Sequence, residues 1–531
     1  MEFDYILIGA GSAGCLLADR LSETGRTKVL VLEAGGSDAK FWIKVPLGYG
    51  MTFSNPKLNW NYHVAPDPGL NGRSVYWPRG RVVGGSSSIN AMAYVRGLAH
   101  DFDDWDRAGA TGWGWETVRK TYDRLEHHGA EKTGKAALAV TDLSSQMHPF
   151  SNRFLAAAQD MNWPVLADLN GPEREGISTY RSTVRDGFRC SSADAFLRPA
   201  RRRGNVKLVT HAVVEKVIIE GGRATGVRYR VGDQQFIARA LGEVILCAGA
   251  INSPKLLQIS GIGPVALLKS HGIDVVQDLP QVGEGLQDHL AVTQHFEASV
   301  PTLNSRLGHP LGRVLAGLQY VLTRKGPLGV PVNQIGGFVR SDPKLNAPDL
   351  QMYCNPASYS NPPDGTPVID RDPGFILSAQ PCRPTSRGQV RITSSHPLDP
   401  PSIQPNSLAT HEDQEVAVRA GKLLRALAST PTLRAVIKAA KAPDISQMDD
   451  AGMLETFRAR ASTVFHASCT CRMGAGPSHS VLDARLRVHG MRGLRVVDAS
   501  AFPNVTSGNT NAPTMMLAMR AADLILEDGA R

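Results

Sequence analysis

The chain contains no apolar run of about 18 residues, the length a helix needs to cross a bilayer, and no internal repeat. Its seven cysteines are odd in number and include no Cys-x-x-Cys pair, which argues against a disulfide framework and a structural zinc site. Scattered thiols fit a reducing compartment. Cys469 and Cys471, on either side of Thr470, read as packing residues, and no metal is expected. The densest basic run, Arg198, Arg201, Arg202 and Arg203, has no aromatic residue within it. It therefore lacks the stacking platform of a single-strand binder, and no nucleic-acid partner is expected. No leader is legible, because Met1 and Glu2 run straight into an apolar strand that stops at glycines. The expected location is the cytoplasm. Peripheral contact with the inner membrane face is left open, although no amphipathic anchor or aromatic belt stands out.

What is present is an ordinary globular composition. Of the 531 residues, 42% are hydrophobic and 20% charged, which rules out a disordered or fibrous chain. The length suits roughly two or three domain-sized units. A net charge of +9 would draw the surface toward anionic partners.

Residues 3–8 read as a buried strand, followed by Gly9-Ala-Gly-Ser-Ala-Gly14. A helical pattern then places Leu16, Leu17 and Leu21 on one face, and residues 28–33 form a second apolar strand. This is the opening of a parallel βαβ unit. Residues 37–80, rich in Pro and Gly and carrying Trp42, Trp60 and Trp77, look irregular; so long a stretch usually covers a ligand. Strands are expected at 206–210, 213–219, 224–231 and 243–247, with a hairpin turn at Gly221-Gly222. Helices are expected at 254–259, with Pro254 at its start, and at 264–271. The region 296–455 alternates short β-like stretches with loops, then reads as helical at 411–429 and 450–460. A final helix is expected over 515–526. The fold class is α/β: a Rossmann-like dinucleotide domain with a second α+β substrate domain on an antiparallel sheet. The first domain is assembled from residues 1–155, 190–295 and 456–531, the second from 156–189 and 296–455.

Chemistry concentrates in five segments. In the first, glycines 9, 11 and 14 permit a tight turn whose amides, with the helix N-terminus, suit a pyrophosphate. Glu33, 19 residues past Gly14, ends the next strand, where a carboxylate can bind an adenosine ribose. That pattern alone does not separate FAD from NAD. The second, Gly80-Arg-Val-Val-Gly-Gly-Ser-Ser-Ser-Ile-Asn90, reads as a ligand loop. The third, residues 249–263, reads by itself as structural. The fourth carries His466 in Val464-Phe-His-Ala-Ser-Cys-Thr-Cys-Arg-Met-Gly474. The fifth runs through Asp498 and Ala499 to Ser507-Gly-Asn-Thr-Asn-Ala-Pro-Thr514.

Together these segments, with residues 279–289 and 386–388, resemble the glucose–methanol–choline (GMC) family of flavin oxidoreductases over nearly the whole chain. The likeness is greatest to the bacterial choline-dehydrogenase-like and alcohol dehydrogenase (acceptor) branch. It implies FAD, an alcohol substrate and hydride transfer to the flavin. The electrons would pass to a quinone or dye; an oxygen-using oxidase and a flavin-scaffold hydroxynitrile lyase are the alternatives. By motif, His466 takes the place of the catalytic base and Asn511 that of its partner. The resemblance further implies that Gly9, Gly11, Ser12, Ala13 and Gly14 hold the pyrophosphate, with Glu33 and Ala34 at the ribose and Val214 at the adenine. Val83, Gly85, Ser87, Asn90, Ala91, Met92 and Ala93 would line the flavin. Asp498 and Ala499 would sit near the ribityl chain, Asn509 and Thr510 near the pyrimidine edge, and Phe465 beside the reacting face. Covalent members carry a flavin-linking His where this chain has Ile89, so non-covalent FAD is implied.

Overall fold

The computed structural model describes residues 1–134, 136–360 and 367–529. Strand β1 (Glu2–Ile8), helix α1 (Ser12–Leu21) and strand β2 (Val29–Leu32) form the expected βαβ opening. Strand β3 (Gly176–Thr179) leaves for a second sheet. The chain then adds β4 (Val206–Val209), β5 (Ala212–Glu220), β6 (Arg223–Val231) and β7 (Gln234–Leu246) to the first. Helix α2 (Gly249–Ile259) follows. Next come β8 (Leu290–Ala298), helix α3 (Pro310–Thr323), β9 (Ile335–Val339), β10 (Leu350–Asn355) and β11 (Gly374–Pro381). Helix α4 (His411–Ala428), β12 (Ile437–Ala440), β13 (Leu494–Val496) and helix α5 (Asn511–Gly529) complete the elements that position the site.

The first sheet runs β4-β2-β1-β7-β6-β5, with β13 also paired to β7. Its β4, β2, β1, β7 and β13 contacts are parallel, whereas β5, β6 and the start of β7 form an antiparallel meander. Strand β7 is longer than its sequence suggests. Its exposed first half, Gln234 to Ala240, alternates as a hairpin partner of β6, and only its second half is a buried apolar run. Ile6, Leu7, Leu16, Leu17, Val29 and Val31 are fully buried between sheet and helices. Each such side chain contributes about 1.5–3 kcal/mol of burial free energy. The second sheet, β12-β8-β11-β10-β9-β3, is antiparallel throughout. Helix α4 packs on it, so β11 is buried almost end to end and shows no polar alternation to betray it.

Two expectations change. Helix α2 begins at Gly249, not at Pro254, which lies inside it. Proline has no N–H to give the Ala250 carbonyl one turn back. The Thr470 hydroxyl donates to that carbonyl instead, at 2.7 Å, and so pins the segment carrying His466 to α2. The second change is α3, which the sequence leaves among loops; Pro310 starts it and Arg324 closes it in a left-handed conformation. Of the basic run, Arg198 pairs with Asp38 and Asp194, and Arg203 with Asp19, so half of it is occupied.

Thr470→Val keeps the shape of the buried side chain but leaves the Ala250 carbonyl without its donor. The expected loss is about 1–3 kcal/mol, read as a lower thermal midpoint of the flavin-loaded protein. An unchanged midpoint would show that the carbonyl finds another partner.

Candidate active site

A cavity of about 1200 Å³ runs between the two sheets, from the glycine turn to β8, β10 and α3. Its dinucleotide end follows from the backbone. A Cβ on Gly14 would fall 2.0 Å from the Gly9 carbonyl oxygen, so only glycine lets α1 start this close to β1. Gly84 N–H donates to the Ala10 carbonyl at 2.7 Å and draws the second glycine loop across the first. There Gly85 sits at φ +53, and a Cβ would lie 2.7 Å from Gly11 Cα. Helix α1 has no side-chain cap and no acidic residue in its first turn, and Gly11, Ser12 and Ala13 line the cavity. Uncapped N–H groups and the helix dipole there suit a phosphate.

Glu33 is buried at the same end. Its carboxylate accepts from the Ala10 N–H at 2.9 Å and the Gly35 N–H at 2.8 Å, and burial raises its pKa to about 7 despite these bonds. Gly9, Ala34 and Val214 line the wall beside it. Asp498 is likewise buried and pushed upward by desolvation. It accepts from Gly249 N–H, Ser253 hydroxyl and Ser500 N–H, next to Ala499. Farther in, Gly85, Asn90, Ala91, Met92 and Ala93 line the cavity, with the hydrocarbon side chain of Ile89 beside them. An open turn, an uncapped helix end, a ribose-height carboxylate and a small-residue floor fit FAD.

Three expected residues lie behind the wall instead of on it. Gly14 packs on Gly9. Val83 is in the core, its N–H bonded to the Gly36 carbonyl. The Ser87 hydroxyl donates to Gly84 O and accepts from Ser192 N–H, so it is spent on holding the loop. Trp60, of the irregular 37–80 stretch, lines the cavity and stacks on Tyr62, with Arg81 over its ring.

The deeper end carries the reactive groups. Phe465 has φ +69, an uncommon backbone for a bulky residue. It is held by its N–H to Thr463 Oγ1 at 2.7 Å, by Arg79 Nη1 on its carbonyl at 2.8 Å, and by an edge contact with Phe53. The turn aims His466, whose own N–H is bound by Asp288 at 2.7 Å. Two further bonds set the imidazole. His289 Nε2 lies 2.7 Å from the Cys382 carbonyl, which can only accept, so that nitrogen carries the proton. Burial drives the His289 pKa down to about 4, so its ring is neutral and Nδ1 is an acceptor. It accepts from the N–H of His466 Nδ1 at 2.9 Å, which leaves His466 Nε2 unprotonated. Burial, with His289 and Arg79 nearby, lowers the His466 pKa well below its ordinary value.

The partner of that nitrogen differs from expectation. Asn509 Nδ2, not Asn511, lies 3.3 Å from His466 Nε2. Gln351 donates to Asn509 Oδ1 and so turns its NH2 toward His466 and the Tyr353 hydroxyl. Asn511 opens α5 and accepts from the Ser12 hydroxyl at 2.7 Å, on the α1 side of the cavity, with Thr510 between the two. Asn509 and Asn511 flank Thr510, Asn511 as the first residue of α5 and Asn509 two residues before it, on opposite sides of the bend into the helix. His289, Gln351 and Tyr353 were missed as site residues. His289 closed a family-like segment, but nothing in the sequence links it to a residue 177 positions away. Burial raises the thiols of Cys469, to about 12, and of Cys471, as befits packing residues.

Comparisons with known proteins agree with this architecture. Family models described as GMC oxidoreductase match residues 3–291 and 384–518. The chain is 40% identical to an "Alcohol dehydrogenase [acceptor]" of Pseudomonas putida, over 99% of this chain and 96% of that protein. It is 39% identical to an "Oxygen-dependent choline dehydrogenase" of Vibrio vulnificus (strain YJ016), over 99% and 94%. Among solved structures, pyridoxine 4-oxidase from Mesorbium loti superimposes with a TM-score of 0.87 at 29% identity, over 98% of both chains. The chain thus belongs to the GMC oxidoreductase family, FAD-binding enzymes that act on CH–OH donors.

Proposed function

We propose that the protein oxidises an uncharged, apolar primary alcohol to the aldehyde, with His466 as the base and Asn509 as the donor to the alcohol oxygen. The observation that carries the reading is the pair formed by the proton-free Nε2 of His466 and the Asn509 carboxamide on one wall of the cavity. Gly9, Gly11, Ser12, Ala13, Glu33 and Asp498 would hold the dinucleotide, and Asn90 to Ala93 the flavin edge. FAD held there would supply the two-electron chemistry, as acceptor of a hydride from the alcohol carbon, with a quinone, a dye or oxygen as the onward acceptor.

The residues of the chain do the rest. The hydroxyl proton passes to His466 Nε2, and the developing alkoxide oxygen accepts a hydrogen bond from Asn509 Nδ2. His289 keeps the imidazole in the required tautomer and takes a stronger hydrogen bond from Nδ1 once the ring is charged. Phe465, Phe53 and the aliphatic walls exclude water, so the donor acts in a low dielectric.

Charge selects the substrate. Among the described residues, the only carboxylates lining the cavity are Glu33 and Asp498, and backbone and hydroxyl donors already occupy both. Arg79, Lys255, Arg313 and Arg460 also line it. An ammonium such as choline therefore meets no free counter-ion and four cations, whereas an aliphatic chain meets Leu303, Leu307, Val332 and Ile376. No helix of the described residues is long and apolar enough to cross a membrane. We propose, separately, a cytoplasmic location with peripheral contact at the inner face of the membrane.

Anaerobic bleaching of the flavin by a panel of alcohols tests the substrate reading. Medium-chain primary alcohols are expected to reduce it at least about tenfold more efficiently than choline. Preference for choline would overturn it, and reoxidation with oxygen against a quinone would then identify the acceptor. His466→Ala is expected to keep the yellow cofactor and slow reduction by about 10²–10⁴-fold. Because His466 is already neutral below its ordinary pKa, the acid limb of kcat/KM in the native enzyme should fall below about pH 6.5. An acid limb at higher pH would contradict this. Asn509→Ala should cost about 10²–10³-fold in the reduction rate with flavin retained. Asn511→Ala should act chiefly on flavin retention; the reverse pattern would restore Asn511 as the partner of His466.

A further inference from the structure

We propose that helix α3 and the rim beside it seat the mouth of the cavity in an anionic lipid bilayer. A surface helix normally turns its apolar stripe inward. Helix α3 does the opposite. Leu311, Val314, Leu315, Leu318, Val321 and Leu322 recur at helical spacing along one face, and all are exposed, Leu311 by 71% and Leu322 by 72%. The inward face is narrow: Ala316 and Tyr320 are buried, and the Tyr320 hydroxyl is bound to the Gly187 carbonyl. Single exposed leucines are commonplace, but a contiguous stripe of six marks an interface.

The stripe is continuous with the cavity. Arg313, Gly317 and Val321 of α3 line it, and so do Phe41, Trp42, Met51 and Val368, which are themselves exposed. The turn at Pro327–Gly329 after α3 packs on the Pro46–Met51 turn of the covering segment, joining both sides of the rim. An aromatic pair, Phe41 edge-on to Trp42, stands at this rim, and indole rings favour the headgroup level.

Charge identifies the partner. No Asp or Glu occurs between Glu297 and Asp342, while Arg306, Arg313, Arg324 and Lys325 fall in that stretch; Arg340, also within it, is paired with Glu175. An apolar face framed by cations and free of acids in its own segment matches anionic headgroups over acyl chains, and each such cation near the surface adds about 1 kcal/mol of attraction. With 14 residues α3 is too short to span and would lie in the interface plane. A second copy of the chain would instead set these cations against each other. The inference rests on the membrane contact proposed above and extends it. The cavity then opens toward lipid, from which an apolar alcohol, or a lipid-soluble acceptor, would enter directly.

Flotation of the flavin-loaded enzyme with vesicles tests it without reference to turnover. With phosphatidylcholine and phosphatidylglycerol mixed roughly three to one, the wild type should float, and with phosphatidylcholine alone it should bind more weakly. Leu315→Glu with Leu318→Glu, two exposed positions outside the cavity lining, should cut vesicle binding by about tenfold or more. Flavin content and bleaching by a short water-soluble alcohol should stay unchanged. Wild type that remains below the anionic vesicles overturns the proposal, as does equal flotation of wild type and variant. A concentration-dependent dimer that these substitutions dissolve, with no vesicle binding by the wild type, also overturns it and assigns the stripe to a second copy. If alcohols fail to bleach the flavin while flotation persists, docking stands and only the substrate reading falls.

Discussion

A single backbone carbonyl sets the state of the reactive end. Because Cys382 O can only accept, it dictates which nitrogen of His289 is protonated, and His289 in turn dictates the tautomer of His466. No charge is needed anywhere in this relay. A carboxylate behind the imidazole would hold the ring more strongly but would raise its proton affinity; two neutral rings in a dry site leave it low. The cost is that the whole path must be buried and rigid, and the surrounding strands provide that. Cys382 directly follows β11, His289 directly precedes β8, and the pairing of those two strands brings the segments together.

The same logic of position over charge governs the dinucleotide end. The cradle consists of glycines that approach one another too closely for side chains, of helix N–H groups left uncapped, and of carboxylates already satisfied by amides. Substrate chemistry and cofactor binding therefore use little formal charge, and of the cavity's cations Arg79 is spent on the Phe465 carbonyl and Lys255 on that of Pro397. That arrangement suits an apolar alcohol at one end and a polyanionic cofactor at the other.

Much of this was legible in the residues. The strand–turn–helix–strand opening, the glycine turn and Glu33 have local spacing that only one backbone shape satisfies, so reading them required no tertiary information. His466 emerged through its segment. What stayed hidden depends on contacts distant in sequence. The choice between Asn509 and Asn511 turns on a bend that neither residue announces. Strand β11, buried on both faces, carries no alternation. Helix α2 runs through Pro254 because a threonine more than two hundred residues later takes the orphaned carbonyl. Helix α3 was overlooked because its apolar face points outward, against the rule by which such helices are recognised.

The bond between the Ser12 hydroxyl and Asn511 has its own consequence. It joins residues 499 positions apart and ties the N-termini of the first and last helices of the fold. During synthesis the opening βαβ unit emerges early, but its helix end meets this partner only once a segment 499 residues downstream has been made. The cradle is therefore a late assembly, with one half present long before the other.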